Sequence, residues 1–223
     1  MTDSTYHLEA PTLFADSLIW QLNREYYEHH GIDAWRSQKV PHQITSNSMV
    51  GMTYAELIFG IMKDVARKKG TEERLYILEL GAGHGRLAYH ILIHLNKLIN
   101  HYHSPLPSFC YIISDFAEDN LEFFSAHSQF QKFIIQGILD VAHFDAIDGD
   151  HIHLRHSGLT IRYNDLLNPL IVIANYFFDS IPVDLFHIQN GKINNCSVSL
   201  NTDKDSASMN IKETLEHINI EIH

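Results

Sequence analysis

Residues 75–92 read Leu-Tyr-Ile-Leu-Glu-Leu-Gly-Ala-Gly-His-Gly-Arg-Leu-Ala-Tyr-His-Ile-Leu. An apolar run of strand length meets three glycines spaced two apart, and an amphipathic helical pattern starts at once. Such a segment must leave a strand, bend through backbone conformations with φ above zero, and enter a helix with no Cβ in the way. The helix points its unpaired N–H groups back at the bend, where a carboxylate or phosphate fits. The segment therefore predicts a strand–turn–helix unit with a ligand at its bend. A bare turn is the plain alternative, but three alternating glycines beside an acid exceed what a turn needs.

The spacing narrows the ligand. A dinucleotide turn needs G-x-G-x-x-G. Gly81 and Gly83 meet its first two positions, but the third falls on Arg86. No Gly-Lys-Ser/Thr follows, so a phosphate loop is excluded. The pattern present is Glu79-x-Gly81-x-Gly83-x-Gly85, with Ala82 inside it and Arg86 after it. It resembles motif I of the class I S-adenosylmethionine (SAM) methyltransferases. The resemblance implies that Gly81, Ala82, Gly83, Gly85 and Arg86 hold the methionine end of SAM, and that Glu79 anchors its polar groups. Two other classes stay open: a non-catalytic SAM-binding module, and a nucleotide-dependent oxidoreductase of similar fold.

Periodicity organises the rest of the chain. Residues 16–30 carry apolar positions at helical spacing, and a loop with Gly31 and Pro41 follows. Tyr54, Leu57, Ile58, Ile61, Met62 and Val65 mark a second amphipathic helix, ended by Arg67-Lys68-Lys69 and Gly70. After a strand at 75–80 and its helix, Phe109–Ser114 forms a near-continuous apolar run, as for a strand covered on both faces. A helix is expected over 117–127, a third strand at Phe133-Ile-Ile, a β-hairpin over 151–163, a fourth strand at 170–174 and a fifth at 185–189. Asn190-Gly191 predicts a hairpin turn returning through Ile193 to Leu200. This alternation predicts a doubly wound α/β sheet. The expected layout is an N-terminal helical extension at 1–70, a Rossmann-like domain at 71–200 and a polar tail at 201–223.

In such sheets ligands bind outside the carboxyl ends of the strands, where the strand order reverses. The second strand ends at Asp115. Its carboxylate suits two ribose hydroxyls, with Phe116 beside it, or else caps the helix that follows. After the expected third strand come Gly137-Ile138-Leu139-Asp140. Resemblance to methyltransferases implies that the adenine lies there, with Leu139 on its face and Asp140 near its amino group. The fourth strand runs into Asn175-Tyr176-Phe177-Phe178-Asp179-Ser180-Ile181-Pro182-Val183. Its opening partly matches the Asn-x-x-Tyr/Phe motif of amine methyltransferases, with Tyr176 where that motif has proline. Asn-x-x-x-Asp-x-x-Pro-Val matches more of the chain. Together with motif I and Ile44-Thr45-Ser46…Gly51…Ala55-Glu56, it resembles the MidA-like family of SAM methyltransferases, which includes mitochondrial complex I assembly factors. That resemblance implies methyl transfer to a nitrogen, an arginine side chain of a protein included. On this reading Asn175 is expected to orient the acceptor and Asp179 to pair with it, while Tyr176, Phe177 or Phe178 faces the sulfonium or walls the pocket. The chain departs from the family at Tyr176, where an acid is usual, and at Asn47 and Ser48, where a proline and an acid are usual.

Composition excludes several classes. A net charge of −11 with no basic stripe argues against nucleic acid. The basic run at 67–69 sits where it complements a helix dipole. No apolar run approaches the ~18 residues of a membrane span, and no secretory signal is present, so a cytoplasmic protein is expected. Two distant cysteines fit that expectation. Seventeen histidines lack zinc spacing, so no metal is expected. Family resemblance implies further strands after the fifth. The second half of the sheet is therefore expected to be missing, leaving an edge that a second copy can cover.

Overall fold

The computed structural model describes residues 6–36, 44–162, 164–203 and 211–223. Pro41, Tyr163 at the end of the expected hairpin, and 204–210 of the expected tail lie outside these. The elements in order are β1 (Tyr6–Leu13), α1 (Leu18–His30), α2 (Asp33–Arg36), α3 (Ser48–Lys69), β2 (Leu75–Glu79), α4 (Arg86–Asn100), β3 (Phe109–Asp115), α5 (Glu118–Ala126) and α6 (Ser128–Ile135). They continue with β4 (Leu139–His143), β5 (His151–Leu154), β6 (Thr160–Arg162), β7 (Ile171–Ile173), β8 (Phe186–Gln189), β9 (Lys192–Asn195), β10 (Ser197–Thr202), α7 (Ile211–His217) and β11 (Ile218–Ile222). The chain divides into two compact units, one drawn from 31–175 and the other from 1–30 with 176–223. This division cuts across the boundaries expected at 70 and 200.

The 31–175 unit holds a six-stranded mixed sheet of order β6-β5-β4-β3-β2-β7. β4, β3, β2 and β7 run parallel, and the order reverses between β2 and β7. The β5–β6 hairpin adds antiparallel to β4. Both faces of β2 and β3 are covered, which is why these strands read as unbroken apolar runs. Leu75 and Ile77, with Tyr111 and Ile113, face a layer made by α3, α4, α5 and α6. On the other face Leu78, Cys110, Ile112 and Ala142 form one cluster with Ile152, Leu154 and Ile161 of the hairpin.

Local chemistry sets the helix ends. The Asn47 side chain accepts from the Met49 and Val50 N–H groups, so α3 begins before the apolar repeat that marks it. At its far end Gly70 takes φ +87 beyond the basic run. Against α4 the approach is close: a Cβ on Gly51 would overlap Cβ of His90.

Three of the expected strands are corrected. The expected third strand at 133–135 is the end of α6, whose Phe130 and Phe133 are buried one turn apart. A short apolar run does not distinguish a strand from a buried helix. Gly137, at φ +68, then releases the chain into β4. Among the described residues the expected fifth strand, β8, pairs only with β9, across a turn in which Asn190 and Gly191 both have positive φ. The expected return strand breaks at Cys196 into β9 and β10.

Nor is the N-terminal region wholly helical. β1 pairs with β10, which also pairs with β11, in a three-stranded antiparallel sheet of the other unit. Pro11 fits the edge position of β1. Finally, the doubly wound arrangement is one-sided in the 31–175 unit. The cluster on the second sheet face contains no helical residue, because the crossover from β4 to β7 is the β5–β6 hairpin.

Candidate functional site

The turn after β2 lies at the carboxyl edge of the sheet, beside the reversal of strand order. Gly81, Gly83 and Gly85 have φ of +56, +58 and +71. L side chains rarely adopt this region, which accounts for the alternating glycines. A Cβ on Gly85 would also lie 3.0 Å from Phe130 Cζ and 3.1 Å from Phe124 Cε1. The turn is fastened to both neighbouring strands. The Leu80 N–H donates to the Ile173 carbonyl (2.9 Å) and the Ala82 N–H to the Ser114 carbonyl (2.9 Å). Gly81 is exposed, as is Arg86, which opens α4.

Asp115 braces this turn from the end of β3. Its Oδ2 accepts from the Gly83 N–H and its Oδ1 from the Ala117 N–H, both at 3.0 Å. Burial raises its carboxyl pKa, while bonds from Ala117, Gly83, Asn120 and Phe116 oppose that rise. The aspartate thus serves the start of α5, as a cap would, and the glycine turn as well. Phe116 is half-buried beside it.

Glu79, the last residue of β2, is buried on the helix-facing side. Its Oε2 accepts from the Tyr111 hydroxyl at 2.8 Å, and its backbone carbonyl accepts from Ser114 Oγ at 2.7 Å. Burial pushes its carboxyl up to about 8, opposed by the Tyr111 bond and reinforced by Asp115. From α3, the Tyr54 hydroxyl donates to Asn175 Oδ1 at 3.3 Å, and Asn175 Nδ2 donates to the Thr45 carbonyl at 3.2 Å. Burial, then the Glu79 charge, raises the Tyr54 phenol. Tyr54, Glu79, Tyr111 and Asn175 therefore form one polar cluster behind the turn. Sequence patterns single out neither tyrosine. The available signal is a hydroxyl within an otherwise aliphatic strand and helix face.

Leu139 and Asp140 are not at a carboxyl edge. They open β4, with Leu139 opposite Tyr111, whereas His143 lies opposite Asp115 at the edge. Leu139 is four residues of strand from that edge and Asp140 three, about 13 and about 10 Å. Leu139 is buried against the helices, and the Asp140 carboxylate accepts from the N–H groups of Val141, His156 and Ser157. Both therefore lie away from the carboxyl edge, where the resemblance implies the adenine. The displacement follows from taking the end of α6 for the third strand. His143 and Phe144 hold the edge position, and the Phe144 N–H donates to the Asp115 carbonyl at 3.1 Å.

Asn175 follows β7 in the 31–175 unit. Tyr176 and Asp179 belong to the other unit. Tyr176 is 70% exposed and has φ +52, a costly conformation for an aromatic residue. Asp179 lies in a 3-10 turn at Phe178–Ser180 and is exposed. There burial, followed by the Asp179 and Tyr26 charges, raises the Tyr27 phenol.

Among the described residues no three His, Cys, Asp or Glu side chains are grouped to hold a metal ion. His151 and His153 bond instead to Asp150 and Thr160. No described helix is long and apolar enough to cross a membrane.

Residues 55–221 match the family model described as "Putative S-adenosyl-L-methionine-dependent methyltransferase". Among solved structures, the chain is similar to an uncharacterized protein from Burkholderia thailandensis, with 14% identity and a TM-score of 0.40. The alignment covers 97% of this chain and 51% of that one, so the chain spans about half the length of the structure it matches. No curated protein matches. With well over half of its length matched, the chain belongs to this family of S-adenosyl-L-methionine-dependent methyltransferases, whose cofactor is SAM.

Proposed function

We propose that the chain is a class I, Rossmann-like methyltransferase of the MidA-like kind, acting on a nitrogen acceptor, with a protein arginine side chain the acceptor to test first. The observation that carries this reading is the turn at 81–85. Three left-handed glycines stand at the carboxyl edge, beside the strand-order reversal, and a buried carboxyl directly precedes them. That arrangement fits SAM: a backbone free of side chains, a helix N-terminus for its carboxylate, and an acid for its ammonium.

When bound, SAM supplies a methyl group on a sulfonium, open to displacement by an acceptor lone pair. The chain's own contribution is to bind, orient and exclude water. Gly81, Ala82, Gly83, Gly85 and Arg86 would hold the amino-acid portion, Glu79 its ammonium, and Asp115 with Phe116 the sugar. Tyr54 and Thr45 fix the Asn175 amide at both ends, so the acceptor meets a set group rather than a rotating one. Tyr176 and Asp179 keep the acceptor roles implied by the resemblance. A cytoplasmic location and a dimer joined through the outer edge of β7 are further parts of this proposal.

One observation favours a second reading, a SAM-binding module that acts through protein contacts. The Asn175 side chain is already bonded at both ends. Incubation with methyl-labelled SAM, a protein extract and arginine-containing peptides separates the two. Label transferred to protein, and lost in Asp179→Ala, supports the enzyme. SAM binding without transfer supports the module, and binding of NAD alone overturns both.

A further inference from the structure

Glu79 is paired with Tyr111, a residue to which methyl transfer as described gives no part. Tyr111 lies in the middle of β3, fully buried, and its one polar atom is spent on Glu79 Oε2 at 2.8 Å. A buried strand position between aliphatic residues is an expensive place for a phenol unless its hydroxyl has a task. Glu79 is 3% exposed, and among the described residues its other carboxyl oxygen has no hydrogen-bond partner. A buried acid satisfied on one side only, immediately before a ligand-binding turn, is poised for a cationic donor.

We infer that Tyr111 is a positioning residue for cofactor binding: its hydroxyl fixes one oxygen of Glu79 and leaves the other for the ammonium group of SAM. This rests on the reading of the 81–85 turn as the SAM site. The groups facing Glu79 are Tyr111 and Asp115 from β3 and Tyr54 from α3. None of these is a cation, so the free protein holds Glu79 protonated near neutral pH, its carboxyl being pushed up to about 8. An ammonium against the open oxygen favours the charged form, so SAM binding expels the proton to solvent. Affinity then falls as pH drops below about 8. Removing the Tyr111 bond, which favours the carboxylate, moves that fall to higher pH.

The test is calorimetric titration of S-adenosylhomocysteine, which keeps the ammonium, from about pH 6 to about pH 8.5. Two buffers of different ionisation enthalpy measure proton release. In the wild-type protein we expect nearly one proton released per ligand at neutral pH, and affinity falling about tenfold per pH unit below the midpoint. In Tyr111→Phe the midpoint moves up by about one unit. Methylthioadenosine, which lacks the amino-acid portion, binds both proteins without proton release or pH dependence.

A purely structural role for Tyr111 would weaken both ligands equally at every pH and would overturn the inference. So would homocysteine-ligand binding to wild type without proton release, a result that needs no variant and leaves the methyltransferase reading intact. No binding of either ligand at any pH removes the reading itself.

Discussion

The backbone N–H of Gly83 donates to Asp115 Oδ2 at 3.0 Å, so the turn after β2 is held by the side chain that ends β3. Asp115→Ala would strand this donor and the Ala117 N–H in a buried site, at about 1–3 kcal/mol each. Unfolding in urea should show a loss of about 2–6 kcal/mol, with weaker SAM binding. Asp115→Asn, which keeps one acceptor, should lose about half as much.

Two glycines in neighbouring elements should respond in opposite directions. Gly85 has φ +71 and would press a methyl group against Phe130 and Phe124. Gly85→Ala should therefore lower stability by about 1–3 kcal/mol. Gly60, inside α3, has open space around it. Gly60→Ala should raise stability by about 0.5–1 kcal/mol. Thermal unfolding of the two variants checks both signs.

How much of this was legible depended on whether the signal was local. The strand–turn–helix at 75–100 was readable because three glycines and a long apolar period agree. β3 was readable as an unbroken apolar run, and the 190–191 turn from its Asn-Gly pair. The end of α6 was not, since Phe133-Ile-Ile carries no period of its own. Nor was the partnership of β1 with β10, where Tyr6 meets Thr202 from opposite ends of the chain. The hairpin β8–β9 was legible as a hairpin, but not its absence from the main sheet. At the candidate site, the positions of Glu79, the glycines and Asp115 were legible because strand ends announce themselves. Tyr54 and Tyr111 were missed because their hydroxyls acquire meaning only when α3 and β3 meet Glu79 and Asn175.

Tyr54→Phe removes one bond to Asn175. Stability should fall by about 0.5–1.5 kcal/mol. If Asn175 orients the acceptor, turnover should fall with little change in SAM affinity, because the lost contact lies on the acceptor side. Steady-state kinetics together with SAM titration check the split.

Glu79 sets a pH dependence of folding. Its carboxyl titrates at about 8 in the folded chain, against an ordinary value of 4.5. Between these the folded state binds the extra proton, so its stability declines as pH rises through that window. Glu79→Gln removes the titration. The difference in unfolding free energy, variant minus wild type, should grow with pH by at most about 1.4 kcal/mol per unit and level off above the folded value. Denaturant melts across the window would show a flat difference if Glu79 does not titrate there.

The most direct test of the central claim follows the backbone amides of Gly81, Gly83 and Gly85 by NMR as S-adenosylhomocysteine is added. The account predicts saturable shifts at these three amides, at Glu79 and at the start of α4, with one ligand bound per chain. Saturation that leaves the 79–87 amides unmoved, or no binding at all, would contradict it.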